Sequence, residues 1–211
     1  MNDTILIIGK SKIALRHYLI LKKQNSKFFF YFKDKYNKIW TFNKNKFSIY
    51  KKKFVKNKFF FVLICTPSNT HISYLKKYMY RSKSIFLEKP FSNNLISIKK
   101  FSNQFSKGSS LPKIFIGYNL RYSNALIKFK EKINNNKYGK LLYVNCQVGR
   151  SLDQWRGKNL KLAASNKKKG GGVILELSHE LDYLNWIFGP IKHVSSKINN
   201  VKKFNICVEE S

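Results

Sequence analysis

Alanine is nearly missing from this 211-residue chain, with four residues in all, and acidic residues are scarce at 10 against 42 Lys and Arg. The three cysteines, Cys65, Cys146 and Cys207, lie far apart and form no CxxC pair, so their spacing supports neither a disulfide framework nor a zinc site. No apolar run exceeds Phe59 to Cys65, far short of the ~20 residues that a spanning helix needs, and the brief run after Met1 is no secretion signal. A soluble, cytoplasmic protein with reduced thiols is expected.

Arginine is scarce as well, with lysine supplying 37 of the 42 basic side chains. A net charge of +32 ordinarily points to nucleic acid. Here the lysines are scattered through nearly every segment, and the arginine forks that read phosphates and base edges are few. Asn, Ile, Phe and Tyr are abundant, as drift toward A and T codons produces, so the charge is read as compositional and no specific nucleic-acid partner is expected. With 43% hydrophobic residues the chain has ample material for a core.

Thr4 to Ile8 is a short apolar run ending at Gly9, and a helical pattern with Ile13, Leu15, Tyr18 and Leu19 follows. Phe28 to Phe32, Phe47 to Tyr50 (a weak run), Phe59 to Cys65, Ser84 to Leu87 and Lys113 to Gly117 read as further strands. His71 to Tyr80 and Leu95 to Phe105 read as helices. Continuous apolar strands alternating with helices predict an α/β fold with a doubly wound parallel sheet. After Gly117 the pattern changes to a helix over Ala125 to Lys132, an alternating strand over Leu141 to Val148, a Lys-rich loop, and a helix from the Gly170 to Gly172 turn through about Phe188. Strand-like runs follow at Val194 to Ile198 and Phe204 to Val208. The expected domains are 1–118, and 119–211 as a partial α+β domain with an open, mostly antiparallel sheet.

Four places offer chemistry. The turn Gly9-Lys10-Ser11-Lys12-Ile13-Ala14 approximates G-x-G-x-x-G/A, in which backbone and helix N-terminus receive a pyrophosphate; an ordinary strand-to-helix turn is the alternative. The segment Thr66-Pro67-Ser68-Asn69-Thr70-His71 places small polar groups at the carboxyl edge of the sheet, where a helix cap by Ser68 or Asn69 serves equally well as an explanation. Glu88-Lys89-Pro90 ends another strand there. Proline holds Lys89 in a defined direction, and a lysine beside a cationic nicotinamide ring has its pKa lowered and exchanges a proton with a substrate hydroxyl; a solvated surface lysine is the alternative. In the stretch from Gly170 to Asp182, His179 and Asp182 stand three apart on one helix face, as a positioned base and its orienting carboxylate would, or as a structural pair. No third ligand has a recognisable spacing, so no metal is expected.

These motifs, with His17 after the glycine turn and Gly117-Tyr118-Asn119-Leu120-Arg121-Tyr122, in this order, resemble the Gfo/Idh/MocA family over essentially the whole chain. The resemblance implies a Rossmann domain followed by a truncated substrate and oligomerisation domain. It also implies NAD or NADP as cofactor, and hydride transfer between nicotinamide and a carbinol carbon of a sugar or nucleotide-sugar. It places Gly9, Ser11 and Ala14 at the pyrophosphate, Thr66, Pro67, Asn69 and His71 near the cofactor, and Glu88 and Lys89 by the nicotinamide. Lys89 and His179 would handle the proton, Asp182 would be an orienting or substrate group, and Arg121 would lie near the substrate. The acidic position after the second strand falls on Asp34 between Lys33 and Lys35, a ribose acceptor or the site of a 2′-phosphate. Glu176 stands three residues before His179. That spacing, with the stretch Gly149-Arg150-Ser151-Leu152-Asp153-Gln154-Trp155-Arg156, resembles a subgroup associated with surface-sugar and nonulosonic acid biosynthesis. Full-length members are expected to be homo-oligomers, an expectation not extended to this shorter chain. A nucleotide-binding relic without catalysis and a basic nucleic-acid-associated protein are the competing readings.

Overall fold

A computed structural model describes residues 3–52, 58–105, 111–149, 154 and 165–199. The chain divides into two compact units, Met1–Gly117 and Tyr118–Ser211. The expected strand over Phe204 to Val208, Cys207, and residues 150–156 other than Gln154 lie outside the described residues.

The first unit is organised by β1 (Thr4–Ile8), all five of whose residues are buried. Such a strand needs cover on both faces. Alternate side chains supply it: Ile5 and Ile7 pack with Ala14 and Tyr18 of α1 (Lys12–Gln24), while Leu6 and Ile8 pack with Leu75, Tyr78 and Met79 around α2 (His71–Tyr78). Side chains alternating across a pleated strand make this two-sided burial possible. The sheet has seven strands in the order β4-β3-β2-β1-β5-β6-β7. Its parallel part comprises β2 (Phe29–Lys33), β1, β5 (Phe59–Ile64), β6 (Ser82–Leu87) and β7 (Lys113–Ile116). α2 and α3 (Leu95–Phe105) are the crossovers from β5 to β6 and from β6 to β7. This is the Rossmann-type arrangement that the alternation of strands and helices predicts.

Two features of the sheet depart from the sequence reading. A strand missed there, β3 (Ile39–Asn43), pairs antiparallel with β2 and with β4 (Lys46–Ile49), so the sheet ends in an antiparallel hairpin. The tight turn between β3 and β4 has positive φ at Lys44 (46°) and Asn45 (59°), the geometry of a two-residue hairpin loop, with a lysine where glycine or asparagine is usual. That lysine hides the turn. The hairpin contributes Phe42 and Phe47 to an aromatic cluster around the fully buried Phe32, whose ring lies 5.5 Å from Tyr18 and 5.0 Å from Phe47.

The second unit contains α4 (Asn124–Asn134), α5 (Val173–Glu176) and α6 (Ser178–Phe188). The single helix expected through Phe188 is interrupted: Leu177 leaves helical geometry (φ −98°, ψ 28°), so α6 begins afresh at Ser178. Residues 141–149 and 191–199, expected to carry strands, show no strand pairing among the described residues. Alternation of apolar residues supplies a face, but a strand also needs a neighbour to complete its ladder. Leu142 and Val194 are accordingly exposed. The open antiparallel sheet expected for this unit is therefore absent among the described residues. No helix among the described residues is long and apolar enough to cross a membrane.

Truncating Phe32 leaves a void beneath three rings, and Phe32→Ala is expected to destabilise the first unit by ~3–5 kcal/mol. Urea unfolding of both proteins measures this; a loss below about 1 kcal/mol would show that the hairpin collapses into the space.

Candidate active site

Strand order reverses at β1, because the chain passes from β1 through α1 to β2 on one side and places β5 on the other. Open α/β sheets bind ligands in the crevice at such a switch point, beyond the carboxyl ends of the strands. Each ladder runs one residue past its strand: the Gly9 amide donates to Lys33 O (2.8 Å), Cys65 to Ile8 O (2.9 Å), Glu88 to Ile64 O (3.0 Å) and Gly117 to Leu87 O (2.8 Å). The glycine turn, the Thr66 segment and the Glu88 turn therefore emerge together along one edge.

Gly9 has φ 111°, and a Cβ there would lie 2.6 Å from the Cys65 carbonyl oxygen, so only glycine fits. Ser11 is the N-cap of α1: its hydroxyl accepts from the Ala14 amide (3.4 Å) and its carbonyl from Leu15 (3.1 Å). The Lys12 and Ile13 amides have no acceptor within the helix and point out of its first turn, the arrangement that receives an anion. A backbone cradle with no room for a side chain and two unclaimed helix amides fit a pyrophosphate. Ala14 does not line this cradle. It is fully buried among Ile5, Ile7 and Phe32, and its small side chain lets α1 lie close to the sheet.

Asp34 is placed after β2 as expected, but its carboxylate anchors the turn into β3. Oδ1 accepts from the amides of Tyr36 and Lys38 (both 2.9 Å), and Oδ2 accepts from Trp40 Nε1 (2.8 Å). Desolvation works to raise this carboxyl's pKa, yet the bonds from Trp40, Lys38 and Tyr36 and the nearby Lys10 charge outweigh it, holding the pKa below the ordinary carboxylate value. With three of about four acceptor positions used, Asp34 retains one. Lys10 lies over the Trp40 ring, 3.3 Å from its centroid.

In the Thr66 segment neither Ser68 nor Asn69 caps α2. Thr70 holds the N-cap position, and its Oγ1 lies 2.8 Å from both the Pro67 carbonyl, to which it donates, and Thr66 Oγ1. Pro67 and Asn69 are exposed on the turn, whereas His71 is fully buried. The His71 ring bridges two carbonyls, Pro90 O from Nδ1 and Thr66 O from Nε2, each at 2.8 Å. His71 thus ties the β5 tip to the turn after β6 and acts on the edge through backbone it holds. Within that turn, Glu88 meets His17 of α1, with Nε2 2.6 Å from Oε1. The sequence reading noted His17 without a role; its place five residues after the start of α1 was the available signal.

In the second unit Arg121 and Asp182 form a two-pronged pair: Nε to Oδ2 at 2.8 Å and a terminal guanidinium nitrogen to Oδ1 at 2.7 Å. The Asp182 bonds raise the Arg121 pKa further above its ordinary value. Asp182 is therefore gripped by Arg121, whereas its three-residue spacing points to His179. His179 lies in the first turn of α6, 5.7 Å from the Tyr118 ring and edge-on to it. Burial raises the Tyr118 phenol pKa. Tyr118 stands in the Gly117 to Tyr122 motif but has no role assigned from the sequence, and neither has Trp186, whose ring lies 5.9 Å from the Arg121 guanidinium; aromatic residues have no distinguishing spacing in a chain that contains 18 Phe and 12 Tyr.

A family model described as "Oxidoreductase family, C-terminal alpha/beta domain" (GFO_IDH_MocA_C) matches residues 130–208. The chain is similar to the myo-inositol 2-dehydrogenase of Thermotoga maritima, at 32% identity over 79 residues, covering 37% of this chain and 23% of that protein. It is also similar to the rhizopine catabolism protein MocA of Rhizobium meliloti, at 29% identity over 129 residues, or 61% of this chain and 38% of that protein. Among solved structures, the WlbA dehydrogenase of Bordetella pertussis in complex with NADH and UDP-GlcNAcA is alike in fold, with TM-score 0.69 and 15% identity over 99% of this chain and 65% of that one. The chain spans less than half the length of these curated relatives.

His71 generates a prediction about pH. A neutral imidazole has one N–H for two carbonyls; the carbonyls favour the charged ring and burial opposes it, with burial the larger effect, so the pKa falls below its usual 6.5. The unfolded ring then binds a proton more readily than the folded one. The site's contribution is complete above about pH 6.5 and is lost as pH falls toward the lower folded value. His71→Gln should lower the melting temperature at about pH 7.5 and flatten its decline toward pH 5, followed by thermal unfolding across that range. An unchanged slope would assign the acid sensitivity elsewhere.

Proposed function

We propose that the chain is a member of the Gfo/Idh/MocA family of oxidoreductases, whose C-terminal-domain model matches residues 130–208, and that it is a nicotinamide-dependent dehydrogenase acting on a CH–OH carbon of a sugar, cyclitol or nucleotide-sugar. The observation that carries the proposal is the convergence, along one sheet edge of the first unit, of the Gly9 cradle, the Thr66–His71 turn and the Glu88–Lys89–Pro90 turn. WlbA, alike in fold, was solved with NADH and UDP-GlcNAcA, and myo-inositol 2-dehydrogenase is a sequence relative; both supply the substrate classes proposed.

In this proposal Gly9, Ser11 and the first amides of α1 hold the pyrophosphate, and the remaining acceptor position of Asp34 holds a ribose hydroxyl. Thr66, Pro67 and Asn69 border the dinucleotide, and Glu88 stands by its nicotinamide end. The nicotinamide, when bound, supplies the hydride chemistry at C4. The chain's own residues manage the proton: as hydride leaves the carbinol carbon, the hydroxyl proton passes to Lys89 Nζ of the first unit, and in the reverse direction it returns; His179 is the acid or base that the second unit offers. Arg121, fixed by Asp182, presents its exposed edge to substrate oxygens. A positioned acid or base of this kind is worth about 10² to 10⁴ in rate.

Thermal unfolding with NAD, NADH, NADP and NADPH is the first test. A nucleotide at about 100 times its dissociation constant should add about 2.7 kcal/mol of stability. The reading expects a shift that survives moderate salt, since a response confined to low salt would indicate phosphate capture by the lysine-rich surface. With nucleotide bound, Lys89→Ala should leave affinity within a few-fold and reduce turnover of UDP-GlcNAcA or myo-inositol by about 10² or more, read as NADH absorbance. Full turnover in that variant would remove Lys89 from the proton path.

A further inference from the structure

Lys89 is flanked by two residues that histidines hold. On one side, His17 Nε2 lies 2.6 Å from Glu88 Oε1. A carboxylate oxygen accepts, so the ring donates from Nε2. On the other side, His71 Nδ1 lies 2.8 Å from the Pro90 carbonyl. The His17 ring is itself steadied, meeting Phe86 edge-on at 4.9 Å. Gly117 leaves the space that the Glu88 carboxylate occupies, because a Cβ there would come within 3.2 Å of both its Oε2 and the Phe86 ring. His17 and Glu88 side chains retain 22% and 18% of their exposure, and partly solvated pairs of this kind add little to stability. Stability alone therefore gives a weak account of a 2.6 Å bond spanning 71 residues of sequence.

We propose that His17 is a positioning residue: by holding Glu88, opposite the grip of His71 on Pro90, it sets the direction of Lys89 and ties the turn beside the nicotinamide to the helix whose N-terminus receives the pyrophosphate. The inference rests on the reading of Lys89 as the proton-handling group at the nicotinamide end of a dinucleotide. His17 touches neither substrate nor cofactor in this role. It acts through Glu88 alone.

The test compares NADH with ADP, which carries the adenosine and diphosphate but lacks the nicotinamide. Both are titrated into the full chain, the wild type and variants, by calorimetry. His17→Ala frees Glu88 and the turn at the nicotinamide end, and through that turn, not through Lys89 Nζ, it should weaken NADH about tenfold, the scale of a lost charge-assisted hydrogen bond, and leave ADP within about twofold. His17→Gln, whose amide nitrogen donates from a similar reach, should restore NADH affinity. In a Glu88→Ala background, His17→Ala should have no further effect. Equal losses for NADH and ADP, no loss in a variant that keeps its melting temperature, or additive effects of His17→Ala and Glu88→Ala would each overturn the proposal. Should Glu88→Ala not fold, the Gln rescue alone decides. A wild-type chain that binds neither ligand would overturn the dinucleotide reading itself, whereas ADP and NADH binding that ignores His17 would overturn only this inference.

Discussion

Burial of β1 on both faces governs the rest of the first unit. A five-residue strand with no exposed side chain must have a helix layer on each side, and Ile5 and Ile7 facing α1 while Leu6 and Ile8 face α2 meets that demand. Because β1 is central, the connections on either side diverge from its tip and leave a crevice there. The approach is so close that Gly9 lies against the Cys65 carbonyl with no space for a methyl group. The hydrophobic layer and the candidate ligand cradle are consequences of one packing arrangement.

Polar contacts along this edge do a different job from the core. The apolar clusters hold the strands together, yet they leave the turns beyond the strand ends free to take many paths. Two histidines narrow those paths. His71, buried without exposure, joins the Thr66 and Pro90 carbonyls, and His17 joins α1 to Glu88. Asp34 does the same at the β2 tip, where its three accepted bonds shape the turn into β3. The bonds these side chains make to backbone or to a neighbour hold each turn to one path.

The large positive charge bears little on this architecture. Cations near the edge are occupied locally, Lys10 over Trp40 and Lys33 with its Nζ 3.2 Å from the Tyr78 hydroxyl, where burial lowers the Lys33 pKa. Evenly spread lysines raise solubility and screened attraction to any polyanion, without the arginine forks that impose register on a phosphate backbone.

The sequence by itself determined the parallel part of the sheet and which residues stand at its tips. Apolar runs buried on both faces are continuous and therefore legible, and Gly9, Thr66 and Glu88 each follow one directly. It did not determine the β3–β4 hairpin, because Lys44 occupies a turn position where glycine would have announced it, nor the break at Leu177, which no proline or glycine marks. Partnerships across long separations were equally out of reach. Asp182 stands three residues from His179 and yet grips Arg121, 61 residues away, and His17 meets Glu88 across 71. Periodicity reports which face of an element is apolar, whereas the choice of partner for a polar group depends on distances that exist only once the elements have packed.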